Sequence, residues 1–152
     1  MRRDSRLSVA LHVLVHMDEI GEVITSERLA PMMDTNPVVV RRTMAGLRDA
    51  GIVRSDKGHG GGWSLARSLD SVTLADVYVA LGEPALFSIG PRVEQPGCVV
   101  EQAVNRAVGK ALGEARTLLL AELGAIKVGD LAAEARKAMR RAHKTKGSHS
   151  HA

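Results

Sequence analysis

The amino-acid sequence predicts a mainly α-helical fold with one small β-hairpin. Two observations carry this. Apolar residues recur at intervals of three and four through most of the chain, the spacing of a single helix face. Around residues 52–67 that period gives way to two short extended runs separated by glycines. A length of 152 residues suits one domain, or one domain with an appendage, and is enough to bury a core. Trp63, Tyr78 and Phe87 are the aromatic residues of the whole chain, so that core must be aliphatic.

Residues 5–20 place apolar side chains at positions 7, 10, 11, 14 and 17, with Ser5 as the expected cap and Gly21-Glu22 as the stop. A short second helix follows, capped by Thr25 or Ser26, with Glu27 and Arg28 facing solvent. Asp34-Thr35-Asn36-Pro37 reads as a turn. Asn36 is the expected N-cap of a third helix, and Pro37 suits its first position because no N–H is needed there. In that helix Val40, Met44 and Leu47 share one face, while Arg41, Arg42 and Arg48 occupy others, and Gly51 closes it. Residues 52–57 and 63–67 are the strand candidates, with Gly58-His59-Gly60-Gly61-Gly62 as the hairpin tip. A fourth helix starts from its cap Thr73 and carries Leu74, Val77, Tyr78 and Leu81 as its apolar stripe.

Helix, helix, turn, helix, hairpin, helix is the order of a winged helix-turn-helix. The glycines fit this order better than they fit a nucleotide-binding loop. Such a loop follows a strand and opens a helix, so that helix-terminal N–H groups meet the phosphate. Here the glycines join two strands, and no Gly-Lys-Ser/Thr follows them. A wing lying on a nucleic-acid backbone has a use for glycine, which lets the main chain approach closely. Lys57 and His59 would supply donors beside Gly60. A solvated turn without a partner has no need of three consecutive glycines.

Lysine and arginine number 21 against 17 acids, for a net charge of +4, which favours an anionic partner. Cys98 is the single cysteine, so an intramolecular disulfide and an all-cysteine metal site within one chain are excluded. No apolar run approaches the roughly 18 residues of a membrane helix, and no signal peptide is legible at the N-terminus. A soluble cytoplasmic protein is expected. There is no Ser–His–Asp pattern, carboxylate pair or cofactor fingerprint to indicate an enzyme. His12 and His16 stand four apart without the glutamate of a zinc-protease motif, and read as ordinary polar residues flanking a core helix.

The run LRDAGIVRSDKGHGGGWSLAR (47–67), followed by VTLADVYVAL (72–81), resembles the Rrf-two family of bacterial transcription regulators. The opening helix SVALHVLVHM (8–17) matches in type and position. The resemblance covers residues 5–83 closely and 96–123 more weakly, where the family places a long dimerisation helix. It implies a homodimer that binds double-stranded DNA at a partly palindromic operator, usually as a repressor, with half-sites one helical turn or a multiple apart. It carries Asn36, Val38 and Arg41 to base-facing positions in the major groove, with Arg42 beside them. Arginine there can pair bidentately with guanine. Ser26 and Arg28 are carried to phosphate contacts, which position without specifying. Lys57 stands where the family commonly has a wing arginine, keeping the charge but not the planar fork.

The expected organisation is a DNA-binding winged helix-turn-helix domain over 1–83, an irregular loop over 84–97, a helical dimerisation region over 98–142 and a disordered polar tail over 143–152. Within the third of these, Val100, Val104, Ala107, Ala111, Ala115 and Leu118 form a small-residue stripe suited to close helix–helix approach, with a second chain or with the chain's own domain. A further amphipathic helix is expected over 130–142. Cluster-binding members of the family carry three cysteines before the long helix. With Cys98 alone, no iron–sulphur cluster is expected, since such clusters normally take four protein ligands. Cys98 can be a small buried hydrophobe, a redox-sensing thiol near a helix N-terminus, or one ligand of a mixed set shared across a dimer with His12, His16, Glu94 or Glu101. The effector is not legible. The expected function is therefore sequence-specific DNA binding in transcription regulation. A redox-sensing regulator on the same scaffold and a protein-interaction module without DNA binding are the alternatives. Arg41, Arg42 and Lys57 count against the second of these.

Overall fold

The computed structural model describes residues 4–90, 94 and 97–147. Helix α1 (Arg6–Ile20) ends where Gly21 turns left-handed, φ 66°, and returns its N–H to the Met17 carbonyl. Ser5 occupies the N-cap but makes no side-chain cap bond. The Arg6 N–H donates to the Asp4 carboxylate instead, at 3.0 Å. Helix α2 (Ser26–Met32) is capped by Thr25, whose hydroxyl accepts the Arg28 N–H. It stops in a double-bonded turn, Thr35 N–H to Ala30 O and Asp34 N–H to Pro31 O, with Asp34 left-handed at φ 48°. Helix α3 (Pro37–Asp49) ends in the same kind of turn, with Gly51 at φ 70° and the Ile52 N–H reaching back to Leu47 O.

The turn at Gly51 feeds the chain directly into the hairpin. Strands β1 (Val53–Asp56) and β2 (Gly62–Leu65) pair antiparallel, Val53 opposite Leu65 and Asp56 opposite Gly62. Ile24, just before α2, adds a third rung by exchanging two backbone bonds with Trp63, 2.9 and 2.8 Å. A short 3-10 turn (Leu69–Ser71) leads to helix α4 (Leu74–Ala80). Thr73 and Asp76 form a reciprocal capping box there. The Asp76 carboxyl lies below its ordinary pKa, chiefly because the Thr73 N–H donates to it at 2.8 Å.

One core, aliphatic for the most part but including Trp63 and, at its edge, the buried Tyr78, joins these elements. Val13 and Leu14 of α1, Leu29 of α2, Val40, Met44 and Leu47 of α3, and Val77 of α4 are all fully buried. Helices α3 and α4 cross closely at Gly46, where an added Cβ would meet the Ala80 carbonyl oxygen at 2.5 Å. No other residue fits that crossing without a backbone shift.

Helix α5 (Val99–Ala125) runs for 27 residues, about 40 Å at 1.5 Å per residue, and none of its residues is buried. The small-residue stripe is exposed throughout, Val100 and Leu118 each to 72%. Its other side rests on α4, and Arg116 pairs with Glu83. After Ile126 the chain turns back. Residues 72 and 74 bond across to 128 and 126, forming a bridge of Thr73 with Lys127.

Helix α6 (Val128–Gly147) then packs on α1 and on the 3-10 turn, with Val128 and Ala132 fully buried in the common core. Arg136 reaches Asp18 at 2.5 Å. The structure thus divides the expected region 98–142: α5 buries none of its residues and meets the core through Leu123, whereas α6 completes it. The final helix also starts earlier than expected and extends to Gly147, so residues 143–147 of the expected tail are helical. No helix breaker precedes Gly147 in the sequence of this segment. Residues 148–152 lie outside the described part. Described residues of the expected loop 84–97 carry no helix or strand before α5.

Candidate nucleic-acid interface

Helix α3 has two opposed faces. Val40, Met44 and Leu47 anchor it in the core, so the strip through Val38, Arg41 and Arg42, at i, i+3 and i+4, faces solvent. Val38 is 59% exposed. Asn36 is the N-cap as expected, its Oδ1 accepting the Val38 and Val39 N–H groups at 3.0 and 3.2 Å, and Pro37 occupies the first turn.

The arginines differ in their surroundings. Arg41 lies 3.6 Å from Glu27 of α2, and Arg28 lies 3.3 Å from Glu22. Both pairs are solvent-exposed, so each holds its arginine loosely and is open to competition from a stronger anion. Arg42 makes no ion pair among the described residues and extends freely from the same strip. Glu27 was legible in sequence as a solvent-facing residue but not as Arg41's partner. Contacts between helices leave no periodic trace in either one.

Ser26 sits differently from the other predicted residues. It is buried, and its hydroxyl accepts the Trp63 indole N–H at 2.9 Å. This bond ties β2 to the start of α2, alongside the Ile24–Trp63 bridge, and so fixes the base of the wing relative to α2 and α3. Neither Ile24 nor Trp63 stood out in sequence for this role.

Lys57, His59 and Gly60 are exposed at the wing tip. The tip's glycines have separate causes. Gly58 and Gly60 have φ of 96° and 79° with open space around them. A Cβ on Gly61 would collide with the Asp56 carbonyl, and one on Gly62 would lie 2.5 Å from the Ile24 carbonyl. Close backbone approach is therefore already used at Gly61 and Gly62, within the hairpin and against the third rung. The open positions, Gly58 and Gly60, are those that shape the tip.

Cys98 is half-buried at the N-cap of α5 and makes no side-chain cap bond. His12 and His16 stack with ring centroids 4.7 Å apart, and His16 Nδ1 lies 3.4 Å from Glu19. They line a groove between α1 and α6 with Leu11, Val15, Leu131 and Met139. Among the described residues, no three His, Cys, Asp or Glu side chains gather as a metal site. No described helix is long and apolar enough to cross a membrane.

Comparison with known proteins places this geometry. A family model described as Rrf2, iron-dependent transcriptional regulator, matches residues 3–134. The Bacillus subtilis (strain 168) protein named "Putative HTH-type transcriptional regulator YwnA" is 32% identical over 129 residues, covering 84% of this chain and 95% of its own. A solved structure of a "putative DNA binding protein" is 30% identical, covers 84% of this chain and 98% of its own, and has a TM-score of 0.66. The structure of IscR from T. potens, 16% identical, shares the fold with a TM-score of 0.65 over 91% of this chain and 90% of that one. For the iron in the family's description, the described residues of one chain bring together no matching donor set. One cysteine at the head of α5 supplies a single sulfur, and no described carboxylates or imidazoles converge to complete a site.

Proposed function

Because this chain belongs to the Rrf2 family of transcriptional regulators, we propose that it acts as a cytoplasmic homodimeric repressor on a pseudo-palindromic operator, without a bound cluster. The family and the relatives above are regulators, not enzymes. The carrying observation is the division of α3 into a buried face and an exposed strip of Val38, Arg41 and Arg42. Docked by that strip, α3 enters the major groove with its N-terminal end deepest, where Arg41 and Arg42 reach guanine edges. Arg28 and the wing residues Lys57, His59 and Gly60 lie against phosphates on either side. Ser26 takes part by holding the wing base through Trp63. Glu27 releases Arg41 when DNA competes for it.

The exposed stripe of α5 supports the dimer. Two such stripes packed together bury small and β-branched side chains that have no cover within one chain. A two-fold axis through that pair sets two α3 helices against two half-sites.

The test is a gel-shift with DNA from the gene's own promoter across a salt series. Specific retardation that weakens steeply with salt is expected. Absence of specific retardation at every salt concentration sinks the proposal and leaves the protein-interaction module as the surviving reading. A thiol-switch version is favoured by one observation, the half-buried Cys98 thiol without a cap bond at the head of the helix. Replacement of Cys98 by alanine with no change in peroxide sensitivity of DNA binding removes it.

A further inference from the structure

We propose that Val38 reads the 5-methyl group of a thymine, so that each operator half-site carries a T·A pair beside the G·C pair contacted by Arg41 or Arg42. The inference rests on the DNA-binding reading above and specifies what the first turn of α3 recognises.

The argument begins with the donors that the turn lacks. Pro37 has no N–H. The N–H groups of Val38 and Val39 donate to Asn36 Oδ1, and that of Val40 donates to the Asn36 carbonyl at 3.2 Å. All four main-chain positions at the head of α3 are therefore absent or already bonded. The anion-binding capacity of an ordinary helix N-terminus is spent on the cap. Asn36 is also constrained. Bidentate recognition of adenine needs its Oδ1 as an acceptor, and that oxygen already takes two bonds.

What the turn presents outward is instead the isopropyl group of Val38, 59% exposed, with Val39 beside it at 39%. Valine in a helix gives up side-chain freedom, and at an exposed position it gains no packing in return. Val38 stands one turn ahead of Arg41 and Arg42 on the same strip. The rise from residue 38 to residue 41 is about 4.5 Å along the axis, between one and two base-pair steps of about 3.4 Å. In the major groove the thymine methyl is the one apolar group that a base pair offers. An isopropyl group placed there, next to two arginines, matches a methyl next to the acceptors of guanine.

The experiment uses the full chain and a pool of random duplexes. Retained duplexes are expected to share a thymine within about two base pairs of a guanine in each half-site. Deoxyuridine is then put in place of that thymine, which removes the methyl and leaves every hydrogen-bonding group unchanged. Affinity is expected to fall about fourfold per half-site, the worth of burying one methyl-sized group. Val38→Ala, which leaves a shorter apolar side chain, is expected to narrow the difference between the thymine and uracil duplexes and to melt at the wild-type temperature. If no duplex is retained, the DNA-binding reading falls and this inference with it. If duplexes are retained but uracil at each shared thymine leaves wild-type affinity unchanged, this inference alone is overturned.

Discussion

The winged-helix core and helix α5 are built from similar residues at similar spacing, yet their apolar side chains end in opposite places. Val13, Leu14, Val40 and Val77 are completely buried, whereas Val100, Val104 and Leu118 of α5 are each more than half exposed. Both regions read as amphipathic helices. The difference lies in what comes to cover them. Around α3, the short turns at Asp34 and Gly51 bring α2 and β1 back within a few residues. Along α5 no turn intervenes for 27 residues, so the helix outruns its own domain. Periodicity therefore identifies a face that seeks cover, and chain topology decides whether that cover comes from the same molecule.

Three substitutions press on this contrast. The largest effect is expected from Val104→Glu, which puts a charge into the middle of the exposed stripe. If α5 is the seam between two copies, sedimentation should show the wild type at dimer mass and the variant at monomer mass. Operator affinity should drop by about 10²–10⁴, the range lost when two linked binding units separate. A variant that stays dimeric with normal affinity would place the seam elsewhere. Leu14→Ala, inside the core, should cost about 2–5 kcal/mol in urea unfolding, with the folded fraction still dimeric. Loss of dimerisation at full helix content would show that the two regions are not independent. The smallest effect concerns Asp76. Its folded pKa lies below the ordinary value of 3.8, so its stabilising contribution is present above that pH and is lost as acid carries the solution through the folded value. Wild type should therefore exceed Asp76→Asn in urea midpoint at neutral pH, and the gap should shrink well below pH 3.8. An equal gap at both pH values contradicts the assignment.

What the sequence made legible was local. Asn36 and Pro37 mark the start of α3 because capping is settled within three residues, and Val40, Met44 and Leu47 mark its buried face by spacing alone. The wing's two strands are legible for the same reason, since residues 53 and 65 are joined by a short loop. The third rung at Ile24 was not legible, because it meets Trp63 from 39 positions away and leaves no periodic signal. Ser26 carries the same lesson. Its position at the head of α2 fits a surface contact, and only the fold brings the indole that buries it. The tip glycines show how one run can hold two requirements, conformational at Gly58 and Gly60, steric at Gly61 and Gly62. The helix over 130–142 is legible in sequence but its return onto α1 is not, since Arg136 and Asp18 stand 118 residues apart.

That return has a consequence for how the molecule is made. Val128 and Ala132 sit in the same core as Val13 and Leu29, so the DNA-reading half of the chain is not closed when its own last helix, α4, has been synthesised. During translation α1 to α4 must wait, with the α6 side of α1 open, while the whole of α5 emerges. The reading head reaches its final form only once α6 has been made, which ties the birth of the DNA-binding surface to that of the helix expected to pair it with a second copy.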